Sequence, residues 1–162
     1  MTDEQRQRAP KITLKAAGSG RQVTLDSEGV PLALVCVGQG TAGSVDAIRT
    51  AIRERWPEAR SAMIASVIDL RAVPRLMRKM AEGALANRYK ENTARLPEGR
   101  NPRDYIVILP DWKGEVIAAL GVADVTATPA VAVINAAGKV AGVYQGDDPA
   151  RAAVDLLERA GA

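Results

Sequence analysis

The stretch Ala127-Thr128-Pro129-Ala130-Val131-Ala132-Val133-Ile134-Asn135-Ala136-Ala137-Gly138-Lys139-Val140-Ala141-Gly142-Val143-Tyr144 decides how this chain is read. Pro129 has no N–H to give a strand ladder, so it marks where a strand enters a sheet rather than the middle of one. Asn135 to Lys139, with Gly138 inside it, then reads as a short turn between two β-rich runs, an antiparallel hairpin. Asp148 and Pro149 supply an N-cap and an N1 proline, which predicts a closing helix through Val154 and Leu157.

Upstream, Ile12-Thr13-Leu14 and Gln22-Val23-Thr24-Leu25 flank Gly18 to Gly20 and predict an N-terminal hairpin. Leu32 to Val37 is apolar throughout, as expected of a strand covered on both faces at the middle of a sheet. Gly38 to Gly43 breaks that strand. Ser44 reads as the N-cap of a helix with Val45, Ile48, Ile52 and Trp56 at helical spacing, closed by Pro57. Ala62 to Asp69 is a second buried strand. Pro74 then opens a long basic helix with Leu76, Met77, Met80, Ala84 and Leu85 on its apolar side, where Met77 and Met80 read as core filler. Leu96 to Arg103 reads as an exposed loop, Tyr105 to Leu109 as a third buried strand stopped by Pro110, and a short helix after Asp111 ends at Gly121.

The resulting order is strand pair, strand, helix, strand, helix, strand, helix, hairpin, helix: an α/β chain with parallel crossovers first and an antiparallel pair last. Over Lys11 to Ala160 this order resembles the thioredoxin-like fold in its redoxin or peroxiredoxin-like branch. The stretch Asp111-Trp112-Lys113-Gly114-Glu115-Val116 to Gly121-Val122, followed by Thr128-Pro129, is similar to that family's Asp-x-x-Gly to Gly-Val to Thr-Pro succession. The resemblance implies a mixed central β-sheet with helices on both faces, an N-terminal hairpin and an inserted basic helix. It also implies a cis bond at Pro129, where the residues read alone allow an ordinary trans-proline strand start. In the family the residue before that proline offers backbone hydrogen bonds to an extended substrate, a role that falls on Thr128.

Composition excludes much. At 162 residues the chain suits one domain, with residues 1–10 read as a disordered tail and residues 11–162 as the domain. It contains no histidine, which removes the usual general base and the commonest metal ligand. Its one cysteine, Cys36, excludes an intramolecular disulfide and any dithiol shuttle. A net charge of +3 does not indicate a nucleic-acid binder. No metal or cofactor is implied, Asp147-Asp148 reading as a helix cap rather than a calcium loop. A polar N-terminus and the lack of a membrane-length apolar run lead to the expectation of a cytoplasmic protein.

The family's Cys-x-x-Cys carries onto Gly40-Thr41-Ala42-Gly43, so glycines hold both sulfur positions. A Thr-x-x-Cys peroxidase pattern, slipped by one residue, ends on Ser44, which has no base to activate it. Cys36 lies inside the apolar strand, where a thiol is a buried hydrophobe. The leading expectation is therefore a domain without dithiol chemistry, binding a peptide, protein partner or small anion between Gly40, Thr41, Ala42, Gly43, Ser44 and Thr128, Pro129. The enzyme-class rival is a one-cysteine peroxide or thiol reductase using Cys36. A third reading takes Gly38-x-Gly40-x-x-Gly43 as a dinucleotide fingerprint with Asp69 as the ribose acid. Asp69 with Asp111, both at strand ends, are the candidate carboxylate pair. The basic run from Arg71 to Arg103 reads as a solvated face, its sharper alternative being docking to an acidic partner or anionic lipid.

Overall fold

A computed structural model describes residues 7–162. Strands β1 (Thr13–Lys15) and β2 (Gln22–Thr24) form a two-stranded antiparallel sheet with Leu14 opposite Val23. Strands β3 (Leu32–Val37), β4 (Met63–Asp69), β5 (Val107–Asp111), β6 (Ala130–Ile134) and β7 (Val140–Gln145) form a five-stranded sheet in the order β5-β4-β3-β6-β7. The β3–β4 and β4–β5 pairs are parallel, and β3–β6 and β6–β7 are antiparallel. The helices are α1 (Ser44–Arg55), α2 (Arg78–Arg95), α3 (Pro102–Tyr105), α4 (Glu115–Ala119) and α5 (Pro149–Arg159).

The unbroken apolar run of β3 follows from its central place. Ala33, Val35 and Val37 face Val45, Ile48 and Ile52 of α1 and Ala153, Leu156 and Leu157 of α5. Leu32, Leu34 and Cys36 face the opposite layer, with Val116 and Ile117 of α4 and Val23 of β2. Each such Leu, Ile or Val contributes about 1.5–3 kcal/mol by leaving water, so the two layers rather than helix propensity hold the sheet. At α5 the Asp148 carboxylate accepts from Arg151 N at 3.2 Å, with Pro149 in the first turn. The α4 helix ends on Gly121 at φ 68°. In the β6–β7 turn Gly138 has φ 85°, and a Cβ there would strike the Asp26 carbonyl, a backbone atom that cannot step aside.

Several expectations are corrected. Pro110 does not stop the third strand: it pairs with Ile68 inside β5, and because β5 is an edge its missing N–H can face outward. The loop before β5 contains α3, capped by Asn101, whose side chain accepts from Arg103 N. Pro74 opens a 3-10 turn over Arg75–Met77, and α2 starts only at Arg78. The apolar side assigned to the core there is mostly outside: Leu76 is 98% exposed, Met80 68% and Met77 45%, and only Leu85 of α2 is buried. Gly43 rather than Ser44 takes the α1 N-cap position, without a side-chain bond; the Ser44 and Val45 amides instead donate to the Thr41 and Ala42 carbonyls. Residues 1–6 of the expected tail lie outside the described residues. Residues 7–10 are not loose, because Ala9 is buried and donates to Gly138 O at 2.8 Å, while Gln7 O accepts from Val140 N at 2.8 Å.

Candidate functional site

Parallel β3, β4 and β5 all end at one edge of the sheet, and antiparallel β6 begins there. The pairing of Cys36 with Ala130 sets Pro129 one step beyond the ladder, alongside Val37. The loop after β3 and the loop before β6 are therefore brought together, through Gly38, Gly40 and Thr41 on one side and Val125 and Thr126 on the other.

What joins them is Thr41. Its buried hydroxyl donates to the Val125 carbonyl at 2.7 Å and accepts from the Gly38 amide at 2.9 Å. Two glycines just before it, Gly38 and Gly40, ease the approach. A Cβ on Gly38 would stand 3.4 Å from Val125 O, and one on Gly40 3.1 Å from Thr126 O. These glycines thus admit a neighbouring backbone, and the Val125–Thr126 segment occupies the space a pyrophosphate would need in the dinucleotide reading. With β6 antiparallel beside β3, the second parallel half of such a fold is also missing from this side. Gly43 has open space beside it. Of the amides expected to attract an anion, Thr41 N and Ser44 N are already used, donating to Gly38 O and Thr41 O.

The loop before β6 is braced by Gln145, a residue the sequence reading passed over. Its Nε2 donates to Asp124 O and Thr128 O, each at 3.0 Å, and its Oε1 accepts from Ala123 N at 3.2 Å. The Asp124 carboxylate in turn accepts from Thr126 N and Thr126 Oγ1, both at 2.9 Å, which holds it below its ordinary range. The cis expectation at Pro129 is corrected here: no peptide bond among the described residues is cis. The trans form is the lower-energy state of an X-Pro bond by about 0.5–1 kcal/mol. The Thr128 carbonyl, expected to serve a substrate, is held by Gln145 instead. A lone glutamine at a strand end leaves no pattern from which this brace could have been found.

Asp69 and Asp111 are neighbours in the β4–β5 register, yet each already has a task. Asp69 takes a two-pronged bond from Arg71, Nε to Oδ1 at 3.0 Å and Nη2 to Oδ2 at 2.8 Å, which lowers its pKa. Asp111 caps α4, accepting from Glu115 N, Val116 N and Ile117 N at 2.9, 3.1 and 3.3 Å. Burial nevertheless pushes its carboxyl above the usual range, with those three donors pulling the other way. Neither is free to act as ribose acid or as half of an acid–base pair. Cys36 is fully buried, and burial first, then the Asp111 charge, push its thiol up to about 12.

The same edge carries the exposed segment from Arg71 to Met80. Arg78 stacks over Trp112, 4.4 Å from the ring centroid, and the charges of Asp111 and Asp124 act on Arg71. Leu76, Met77 and Met80 are exposed on this segment, interleaved with Arg75, Arg78 and Lys79. Among the described residues no group of three or more carboxylate or thiol side chains is placed to hold a metal ion. No helix there is long and apolar enough to cross a membrane.

Neither a family model nor a curated protein matches the chain. Solved structures do. The exposed lipoprotein thioredoxin Etrx1 of Streptococcus pneumoniae superposes with a TM-score of 0.60 at 20% identity, covering 92% of this chain and 98% of its own. A secreted thiol-disulfide isomerase from Corynebacterium glutamicum gives 0.65 at 16% identity, over 100% and 90%. A thiol:disulfide interchange protein of the thioredoxin family from Chlorobium tepidum gives 0.61 at 15%, over 99% and 100%.

Proposed function

We propose that this chain, thioredoxin-like in fold, is a binding module that holds a polypeptide partner at the edge where β3, β4 and β5 end, without thiol chemistry. The observation that carries this reading is the pairing of an unreactive site with an uncovered one. Gly40 and Gly43 stand where sulfurs would be, and a thiol pushed to about 12 leaves a thiolate fraction on the order of 10⁻⁵ at pH 7. On the segment whose Arg78 stacks over Trp112, Leu76, Met77 and Met80 lie exposed among cations.

The chemistry of that surface selects an acidic segment bearing apolar side chains. Leu76 and the two methionines provide adaptable apolar area, each worth up to about 1.5–3 kcal/mol if covered. Arg75, Arg78 and Lys79 draw carboxylates, and among the described residues Glu82, paired to Arg78 at 3.6 Å, is the one acidic side chain bridged to them. Three such contacts sum to about 4.5–9 kcal/mol before the ordering cost of association, which leaves a weak affinity, in the millimolar range. The rival reductase needs Cys36 to reach solvent, and a small anion at the start of α1 would find fewer free donors than its glycines suggest.

The test is fluorescence anisotropy with a labelled peptide of alternating glutamate and leucine. We expect saturable binding that weakens with salt and falls at least about tenfold in Leu76→Asp and in Met80→Asp. Binding equal in wild type and both variants would overturn the assignment. So would retention on phosphatidylserine vesicles with no peptide binding, which would make the surface a membrane contact. Peroxide consumption abolished by Cys36→Ser would overturn the absence of thiol chemistry.

A further inference from the structure

On the other side of α2, between its inner face and α1, lies a cavity of about 110 Å³ that plays no part in the edge described above. Its floor is the sheet, where Ile64, Ser66 and Ile68 alternate onto one face of β4. Ser66 is the only polar residue in that strand before its terminal Asp69. It is buried and lines the cavity.

The walls supply the charge. Arg49 of α1 faces Arg88 and Arg95 of α2, with Asn92 between the latter two. Arg49 shares Asp46 at 3.4 Å, but Asp46 is at the exposed mouth. Arg88 and Arg95 are exposed on α2, and Glu91 of the same helix lines the cavity beside them. Burial and the nearby Arg88 both make it harder for Arg49 to stay charged, the Asp46 carboxylate opposing them. Three arginines on two helices line one small void together with the Asp46 and Glu91 carboxylates, and the surplus of positive charge favours an oxyanion there.

We propose that this cavity binds the phosphate or carboxylate head of a small ligand. Arg49, Arg88 and Arg95 take the oxygens, and Ser66 and Asn92 supply the remaining hydrogen bonds. The volume holds several waters' worth of space, enough for one such head. The rest of the ligand lies in an adjoining cleft of about 280 Å³ that shares Arg49, Asn92 and Arg95 and runs on to Tyr105.

Calorimetric titration of the full chain with inorganic phosphate and, separately, with succinate tests this at low ionic strength, with sodium chloride at matched strength as the control. We expect at least one of the two probes to bind and to raise Tm beyond the chloride control, the successful probe naming the head group. The Arg88→Gln/Arg95→Gln double variant, exposed at both positions, should keep the wild-type fold and lose at least about tenfold in affinity. Ser66→Ala should weaken binding by about three- to tenfold. Binding of neither probe, an unchanged affinity in the double variant, or a Tm rise matched by chloride would each overturn the proposal.

Discussion

Replacing Thr41 by valine removes one oxygen and keeps the shape of the side chain, so it isolates the clamp between the two loops. That oxygen serves the Val125 carbonyl at 2.7 Å and the Gly38 amide at 2.9 Å, and Thr41 is 7% exposed. Without it a buried acceptor and a buried donor are left unpaired. Each costs about 1–3 kcal/mol, and with partial relaxation of the 125–126 turn the sum should be about 2–4 kcal/mol. For a chain of this size that corresponds to a fall in Tm of about 5–15 °C. In urea it corresponds to a midpoint about 1–2 M lower at unchanged slope. Thr41→Ser keeps the hydroxyl and should stay within about 1 kcal/mol of wild type. A Thr41→Val protein within about 0.5 kcal/mol of wild type, or a serine variant as unstable as the valine one, would refute the claim that this hydroxyl couples the loops.

Asp69 gives a pH signature. Its bond from Arg71 holds its folded pKa below the unfolded value, so the contribution is present above about pH 4 and is lost as pH falls through the lowered folded value. The stability gap between wild type and Asp69→Asn should be flat from about pH 6 to 8 and under about 1 kcal/mol, because Arg71 is largely in solvent. It should shrink in acid, and a gap that widened there would contradict the assignment. Restoring sulfur tests the site itself: Gly40→Cys/Gly43→Cys should close a disulfide across the first turn of α1 and gain dithiothreitol-driven reduction of insulin. Gly43 has room, and Gly40 needs Thr126 to move by a few tenths of an ångström. An oxidised double variant that still titrates three free thiols would show that this loop does not occupy the position its fold suggests.

Where one residue type has one local use, the chain was readable before its structure. The unbroken apolar run of β3, Asp148 with Pro149 at α5 and Gly121 after α4 all lie where propensity and capping put them, and the thioredoxin-like order follows from them. The failures share a cause: they depend on what lies opposite. Periodicity marked Leu76, Met77, Met80 and Leu85 as one apolar side of a helix. It could not say that a 3-10 turn over Arg75–Met77 precedes the helix, or that Leu76, Met77 and Met80 stay exposed among the described residues. Pro110 ends a central strand but not an edge one, and edges are a property of the sheet. The glycines at 38 and 40 announce a close approach without naming the approaching group, which is the Val125–Thr126 backbone. Gln145 and the isomer at Pro129 are likewise set by the loop between α4 and β6.

The middle strand of the sheet has one neighbour from the first half of the chain and one from close to its end, Leu32 pairing with both Met63 and Ile134. During synthesis β3, β4 and β5 emerge early, and the flank of β3 awaiting β6 stays bare until residues beyond 130 have left the ribosome. Closing so distant a pairing is slow, and a bare apolar strand is a template for pairing with other nascent chains. A chain truncated before Ala130 should accordingly be recovered from cells as aggregate or bound to chaperones.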